Sequence, residues 1–195
     1  MPSVLAYWDI RGLAQPIRLM LAYAGEEYED KQYSAGPAPD FNRDGWINEK
    51  FSLGLDFPNL PYYMDGDFKI SQTRAIMSYL AEKHNLAGKD LKERAIVSMA
   101  NEQAFDLRMN FVRICYNPNF SELKGDFLKN LPSNLKAFSD FLGDKKKFLG
   151  GDSITYADFN LYDLLDSIKY LEPTCLDSFP NLQQFVTRIE SLPQI

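Results

Sequence analysis

Two short runs, Tyr62-Tyr63-Met64 and Phe68-Lys69-Ile70, are separated by Asp65-Gly66. Asp-Gly supplies the positive φ angles of a tight turn, and aromatic or β-branched flanks favour strands, so this stretch is a β-hairpin. Pro61 stands at the entry of its first strand, one of the few places a sheet accepts proline. Upstream, residues 3–8 read as a strand. Ile17, Leu21 and Ala24 then fall on one helical face closed by Gly25, and residues 28–33 read as a second strand. A βαβ unit followed by a hairpin implies a mixed sheet with helices on its faces. Residues 34–45, rich in Gly, Pro and Asp, are a loop, and residues 46–54 are a short helix ending at Gly54. A further helix over 71–85 turns Ile76 and Leu80 inward, with Tyr79 beside them.

From about Leu91 the strand signals stop. Helical patterns run over 91–116, 121–142, 155–170 and 179–191, punctuated by Pro118, Pro132, Pro173 and Pro180. Pro132 lies inside its pattern and is expected to bend or interrupt the helix. Thr155 can cap a helix that Asp158 answers three residues on, with Ile154 and Phe159 at the positions of a hydrophobic staple. The reading is an α/β domain over 1–84, a linker over 85–90 and an all-α domain over 91–195.

Composition excludes several functions. The chain has 195 residues, enough for a substantial core. No run of apolar residues is long enough for a membrane span, and the N-terminus lacks the charged and apolar segments of a secretory signal. Net charge is −6, and acidic residues outnumber basic ones in both halves, so neither is built for nucleic acid. Lys145-Lys146-Lys147 reads as a solvated loop. Cys115 and Cys175 form no CxxC pair and are expected to be buried free thiols of a reducing, cytoplasmic setting. The only histidine, His84, rules out clustered His metal sites and argues against a Ser-His-Asp triad. It is expected in the last turn of a helix that Gly88 closes, in favourable contact with the helix dipole.

The stretches "AYWDIRGLAQPIRLML", "FPNLPYYMDGD", "QTRAI" and "ITYADFNLYDLLD" together resemble a cytosolic glutathione transferase. "GPAPDFNRDGWINEKFSLGLDFPNLPYY" and "ICYNP" make the chain similar to the mu class, in register along essentially its whole length. The resemblance implies a thioredoxin-like N-terminal domain followed by an all-helical C-terminal domain, assembled as a cytosolic homodimer. It implies attack of the glutathione thiolate on small hydrophobic electrophiles, with glutathione as co-substrate and no metal.

It also implies roles for individual residues. Tyr7 is the catalytic group, and Trp8 and Asn59 stand with it in the glutathione site. The Leu60–Pro61 bond is implied to be cis, with the Leu60 peptide edge open to the cysteinyl unit as an added strand. Gln72 and Thr73 open a helix whose N–H groups and dipole suit the γ-glutamyl carboxylate. On its own, Ser71 or Thr73 reads as an ordinary helix cap rather than a ligand site. Trp46 and Lys50, four apart on one helical face, and Arg43 before them suit the glycine carboxylate. Asp106 reaches a neighbouring subunit's glutathione, while Leu13, Met109 and Tyr116 contact the electrophile. Phe57 wedges into a partner subunit.

The chain departs from the family pattern at Asp44-Gly45, which adds a negative charge near an anionic ligand. "QTRAI" is closer to the alpha class, and Arg74 bears on class and interface. The family commonly continues past Ile195 with a tail that walls the electrophile pocket, so a shortened chain or a missing wall is expected.

Tyrosine suits this chemistry. A phenol with a pKa of about 10 stays protonated at neutral pH, whereas a thiol near 8.5 is only a few per cent thiolate. A hydroxyl aimed at sulfur stabilises the thiolate, and the proton leaves to water without a base. Two other readings remain at this level: a non-catalytic protein that binds hydrophobic ligands on the same scaffold, and a glutathione-dependent isomerase of the prostaglandin type.

Overall fold

The computed structural model describes residues 2–195. The chain separates into two compact units, one ending at His84 and one running from Asn85 to Pro193. The first contains β1 (Ser3–Trp8), α1 (Gln15–Ala24), β2 (Tyr28–Tyr33), α2 (Asp44–Ile47), β3 (Tyr62–Asp65), β4 (Phe68–Ser71) and α3 (Thr73–Lys83). Its sheet has the order β2-β1-β3-β4. β1 pairs parallel with β2 and antiparallel with β3, and β3 with β4 closes the expected hairpin. This is the thioredoxin-like arrangement.

The core follows from the sequence pattern. β1 buries Leu5 and Ala6 completely, and Ile17, Met20 and Leu21 of α1 and Ile76, Met77 and Leu80 of α3 are equally sealed. Gly25 ends α1 in the left-handed conformation at φ 66°, where its N–H reaches the Ala22 carbonyl. The Leu60–Pro61 peptide bond is cis.

Two local expectations need correction. The helix expected over 46–54 extends only over 44–47 and continues as turns. Ser52 there turns its hydroxyl onto the Glu49 carbonyl, the local bonding that competes with regular helix. One α-type bond, from Lys50 N–H to the Trp46 carbonyl at 2.9 Å, still links Lys50 to Trp46. Nor does Gly88 close α3. Asn85, at φ 58°, takes the left-handed position immediately after the His84 cap. His84 itself stands at the C-cap of α3, and its Nε2 also meets the Glu26 carboxylate, a specific partner that the sequence did not reveal.

Glu26 ties this unit together. It accepts from Ser3 Oγ at 2.7 Å, Lys83 Nζ at 3.0 Å and the Tyr63 hydroxyl, as well as facing His84. Lys83 also pairs with Asp65 at 2.7 Å, and Asp65 accepts from Tyr79. Burial opposes ionisation of Glu26, yet the bonds from Tyr63, Ser3, Lys83 and His84 outweigh it and hold its pKa at about 2 rather than 4.5. A carboxylate depressed in the folded state contributes stability that is complete above its unfolded pKa and disappears as pH falls through the folded value. Its contribution of about 2–3 kcal/mol should therefore be lost between pH 4.5 and pH 2. Glu26→Gln should lose most of it at neutral pH and flatten the acid limb of the stability curve. Urea titrations of both proteins across that range check this, and parallel acid limbs would contradict it.

The second unit is all helical: α4 (Leu91–Cys115), α5 (Phe120–Leu142), α6 (Tyr156–Leu171) and α7 (Pro180–Glu190). Asp90 caps α4 by accepting from the Lys92 and Glu93 N–H groups. The capping box of α6 is present, with Asp158 accepting from the Thr155 N–H at 2.7 Å, and Ile154 and Phe159 are both buried. α4 and α6 are joined by a buried polar chain. Arg108 pairs with Asp163 at 2.7 Å and donates to Asn160, which donates to Asn101.

One expectation is narrowed here and another fails. Of the two effects expected at Pro132, interruption does not occur, since α5 runs continuously through it. Around it Asn130 donates to the Asp126 carbonyl, and Ser133 and Asn134 donate to the Asn130 carbonyl, while the carbonyl that Pro132 leaves without an N–H is that of Leu128. Cys115 is exposed, because it lies at the last residue of α4, where Ile114 takes the inward position. Cys175 is half-buried, and burial pushes its thiol pKa up. Among the described residues no helix is long and apolar enough to cross a membrane.

Candidate active site

Five of the singled-out residues meet in one place. Tyr7, Trp46 and Leu60 belong to a buried cluster that also contains Ala6, Ala14, Tyr33, Leu55 and Tyr62, and Trp8 and Leu13 pack against it. Sheet register explains the meeting. Trp8 ends β1 opposite Tyr33 of β2, and Ala6 faces Tyr62 of β3. Continuing that antiparallel register brings Leu60 level with Trp8. The ladder stops short of it, and among the described residues neither the N–H nor the C=O of Leu60 has a hydrogen-bond partner. Leu60 is only 8% exposed, so this is an unsatisfied peptide edge at a buried position, which calls for a partner.

Trp46 is held from outside its own helix. Its ring stacks on Tyr62 at 6.1 Å and meets Tyr33 edge-on at 5.5 Å. The Tyr33 and Tyr62 hydroxyls are 3.0 Å apart, and Tyr33 donates to Glu49, which also receives Lys31. Burial first, then the bonds with Tyr62 and Glu49, push the Tyr33 pKa far upward, so it is a fixed donor. Sequence reasoning did not single out Tyr33, Tyr62 or Glu49. Aromatic residues at two strand ends were the available signal, but they do not reveal which tryptophan those strands would hold.

Arg43 is exposed and Lys50 half-buried, and among the described residues neither takes part in an ion pair. Lys50 lies over the Phe51 ring at 5.3 Å. The Asp44 carboxylate accepts from the Asn42 side chain at 3.0 Å.

At the start of α3, Thr73 is buried and its hydroxyl has no partner. No side chain caps this helix, whose N-cap position is Gln72, and Ser71 before it donates to the Phe57 carbonyl. Gln72, immediately before, is held at φ 77°, a conformation that costs a non-glycine residue about 1–3 kcal/mol and is concentrated at functional sites. Asn59 approaches the Gln72 side chain at 3.5 Å, long for a hydrogen bond. An orphaned hydroxyl beside the open N-terminus of an 11-residue helix suits a carboxylate. Among the described residues no group of three His, Cys, Asp or Glu is placed to hold a metal ion.

The other candidates lie in the second unit. Asp106 and Met109 are on α4, exposed and half-buried respectively, and Tyr116 caps it with 75% exposure.

Comparisons with known proteins give the family. Residues 3–82 match the pattern described as "Glutathione S-transferase, N-terminal domain", and residues 105–195 match "Glutathione S-transferase, C-terminal domain". Glutathione S-transferase Mu 1 of Bos taurus is 52% identical over all 195 residues, which span 89% of that relative. Glutathione S-transferase Mu 1 of Rattus norvegicus is 51% identical over the same share of each chain. Among solved structures, the Pi-class glutathione S-transferase of Onchocerca volvulus superposes with a TM-score of 0.89 at 34% identity, covering 100% of this chain and 90% of that one. This chain is a member of the glutathione transferase family, of the mu class. It is an enzyme that uses glutathione as co-substrate.

Proposed function

We propose that the Tyr7 hydroxyl lowers the pKa of bound glutathione's thiol, and that the thiolate then attacks a small hydrophobic electrophile. The Leu60 peptide edge pairs with the cysteinyl unit. Thr73 and the start of α3 hold the γ-glutamyl carboxylate, with Gln72 and Asn59 beside them. Trp46, Lys50 and Arg43 take the glycine carboxylate, and Trp8 lines the same cluster. The buried, unpartnered Thr73 hydroxyl carries this reading, since a peptide carboxylate supplies the acceptor it lacks. Leu13, Met109 and Tyr116 are assigned to the electrophile, and Asp106 to the glutathione of a second subunit, on the resemblance to the mu class. A reducing, cytoplasmic setting is supported by the two free thiols. The test is conjugation of glutathione to a chloronitrobenzene. Turnover well above the uncatalysed rate is expected, and hydrophobic-ligand binding without turnover would overturn the reading.

The working form in this proposal is a homodimer. Phe57 is 75% exposed, an apolar ring left without cover in the first unit. The second unit carries a cavity of about 200 Å³ lined by Met99, Ala100, Gln103, Ala137, Phe138 and Phe141, apolar apart from one glutamine. A second copy's Phe57 suits that cavity. Light scattering should give twice 22.4 kDa. A buried aromatic anchor is worth about 2 kcal/mol, so Phe57→Ala should raise the dimer dissociation constant about 30-fold. A wild-type monomer that conjugates glutathione would exclude the shared arrangement.

A further inference from the structure

Gly12 lies in the turn between β1 and α1, at φ 43°. A Cβ built there would stand 2.6 Å from Tyr7 Cε1, 2.8 Å from the Tyr7 hydroxyl oxygen and 3.1 Å from Cζ. Backbone conformation alone does not explain this glycine. Gly25 and Gly66 also have positive φ, at 66° and 60°, but a Cβ at either meets nothing within 4 Å. Gly12 therefore meets two requirements at once: a left-handed backbone and a surface with no side chain against the reacting end of a tyrosine.

We propose that Gly12 is a positioning residue for the reaction: its bare backbone fixes where the Tyr7 phenol oxygen sits. The proposal rests on the role given to Tyr7 above. Tyr7 belongs to the packed cluster with Trp46, Leu60 and Tyr62, and Gly12 closes on its ring edge from the turn. The atoms that a Cβ would strike are at the far end of the side chain, the part that can move while β1 stays in place. The fold absorbs the intrusion by moving the phenol. A hydrogen bond to a developing thiolate depends steeply on such a displacement, and misplacement of the order of 1 Å can cost about 100-fold in rate.

The test uses Gly12→Ala, Gly25→Ala, Tyr7→Phe and the double variant Gly12→Ala with Tyr7→Phe. The pKa of the bound glutathione thiol is read by ultraviolet titration, glutathione affinity by calorimetry and folding by circular dichroism. Gly12→Ala should raise the thiol pKa by about one unit and lower the conjugation rate at neutral pH about 10-fold. Glutathione affinity should change by less than about twofold, because the other contacts to the peptide remain. Gly25→Ala, which adds backbone strain but no contact with Tyr7, should leave the thiol pKa unchanged. In the double variant the pKa should equal that of Tyr7→Phe alone, since a displaced phenol and an absent hydroxyl are the same loss. Should Gly12→Ala fold poorly, Gly12→Asn carries the same Cβ on a residue that tolerates left-handed φ, and must show the same shift. A wild-type thiol pKa in Gly12→Ala and Gly12→Asn, or an additive shift in the double variant, overturns the role of Gly12 while leaving that of Tyr7 standing. No shift in Tyr7→Phe itself overturns both.

Discussion

Tyr7→Phe should slow conjugation about 10- to 150-fold at neutral pH while barely disturbing the fold. The substitution removes one oxygen and keeps the ring, so the packing of a side chain only 7% exposed is preserved. What disappears is a hydrogen bond to charged sulfur, worth about 1.5–3 kcal/mol. That energy converts directly into the rate range above. The loss should be concentrated in kcat/KM for the electrophile rather than in glutathione affinity, because the Leu60 edge, Thr73, Lys50 and Arg43 grip other parts of the peptide. It should also shrink as pH rises, because the thiol then ionises without assistance. A pH–rate profile of both proteins separates these outcomes. A loss that persists undiminished at high pH would mean that Tyr7 does something other than stabilise the thiolate.

A second large effect belongs to stability. Asp163→Ala should destabilise the helical unit by about 3–5 kcal/mol, since it strands the Arg108 guanidinium in a buried place. The pair is sealed, with side chains 5% and 1% exposed, and Asn160 occupies the Arg108 Nε and Nη2 donors rather than neutralising the charge. Removing both charges tells the pair apart from its desolvation. Arg108→Met with Asp163→Leu should recover most of the loss, whereas the single variant should not. Far-ultraviolet circular dichroism is the appropriate probe, because both tryptophans, Trp8 and Trp46, report from the first unit. Equal stability of Asp163→Ala and the wild type would show that Arg108 finds another counter-charge.

The sequence made local features legible and long-range ones illegible, and the reason is physical. The hairpin at Asp65-Gly66, the stop at Gly25 and the capping box at Thr155 and Asp158 each depend on neighbours within a few positions, and all three are present. Gly88, five residues past Lys83, is the stronger stop signal by residue type, yet Asn85 takes the left-handed position that ends α3. The Glu26 contact of His84 joins residues 58 positions apart, and no periodicity announces such a pair. The site divides in the same way. Tyr7 and Trp8 were visible as an unusual pair at a strand end, and resemblance supplied their chemistry. Trp46 was singled out, but Tyr33 and Tyr62, which hold it, come from other strands and meet it only when the sheet forms. Thr73 looked like a helix cap, and only packing reveals that its hydroxyl is buried and unpartnered.

The central claim is that a tyrosine hydroxyl, and not a base, makes the thiolate. Ultraviolet titration of glutathione bound to the wild-type enzyme and to Tyr7→Phe tests it most directly. The bound thiol in the wild type should titrate one to two units, in order of magnitude, below the free value of about 8.5, and Tyr7→Phe should return it most of the way. The same thiol pKa in both proteins would contradict the account and leave Tyr7 as a packing residue.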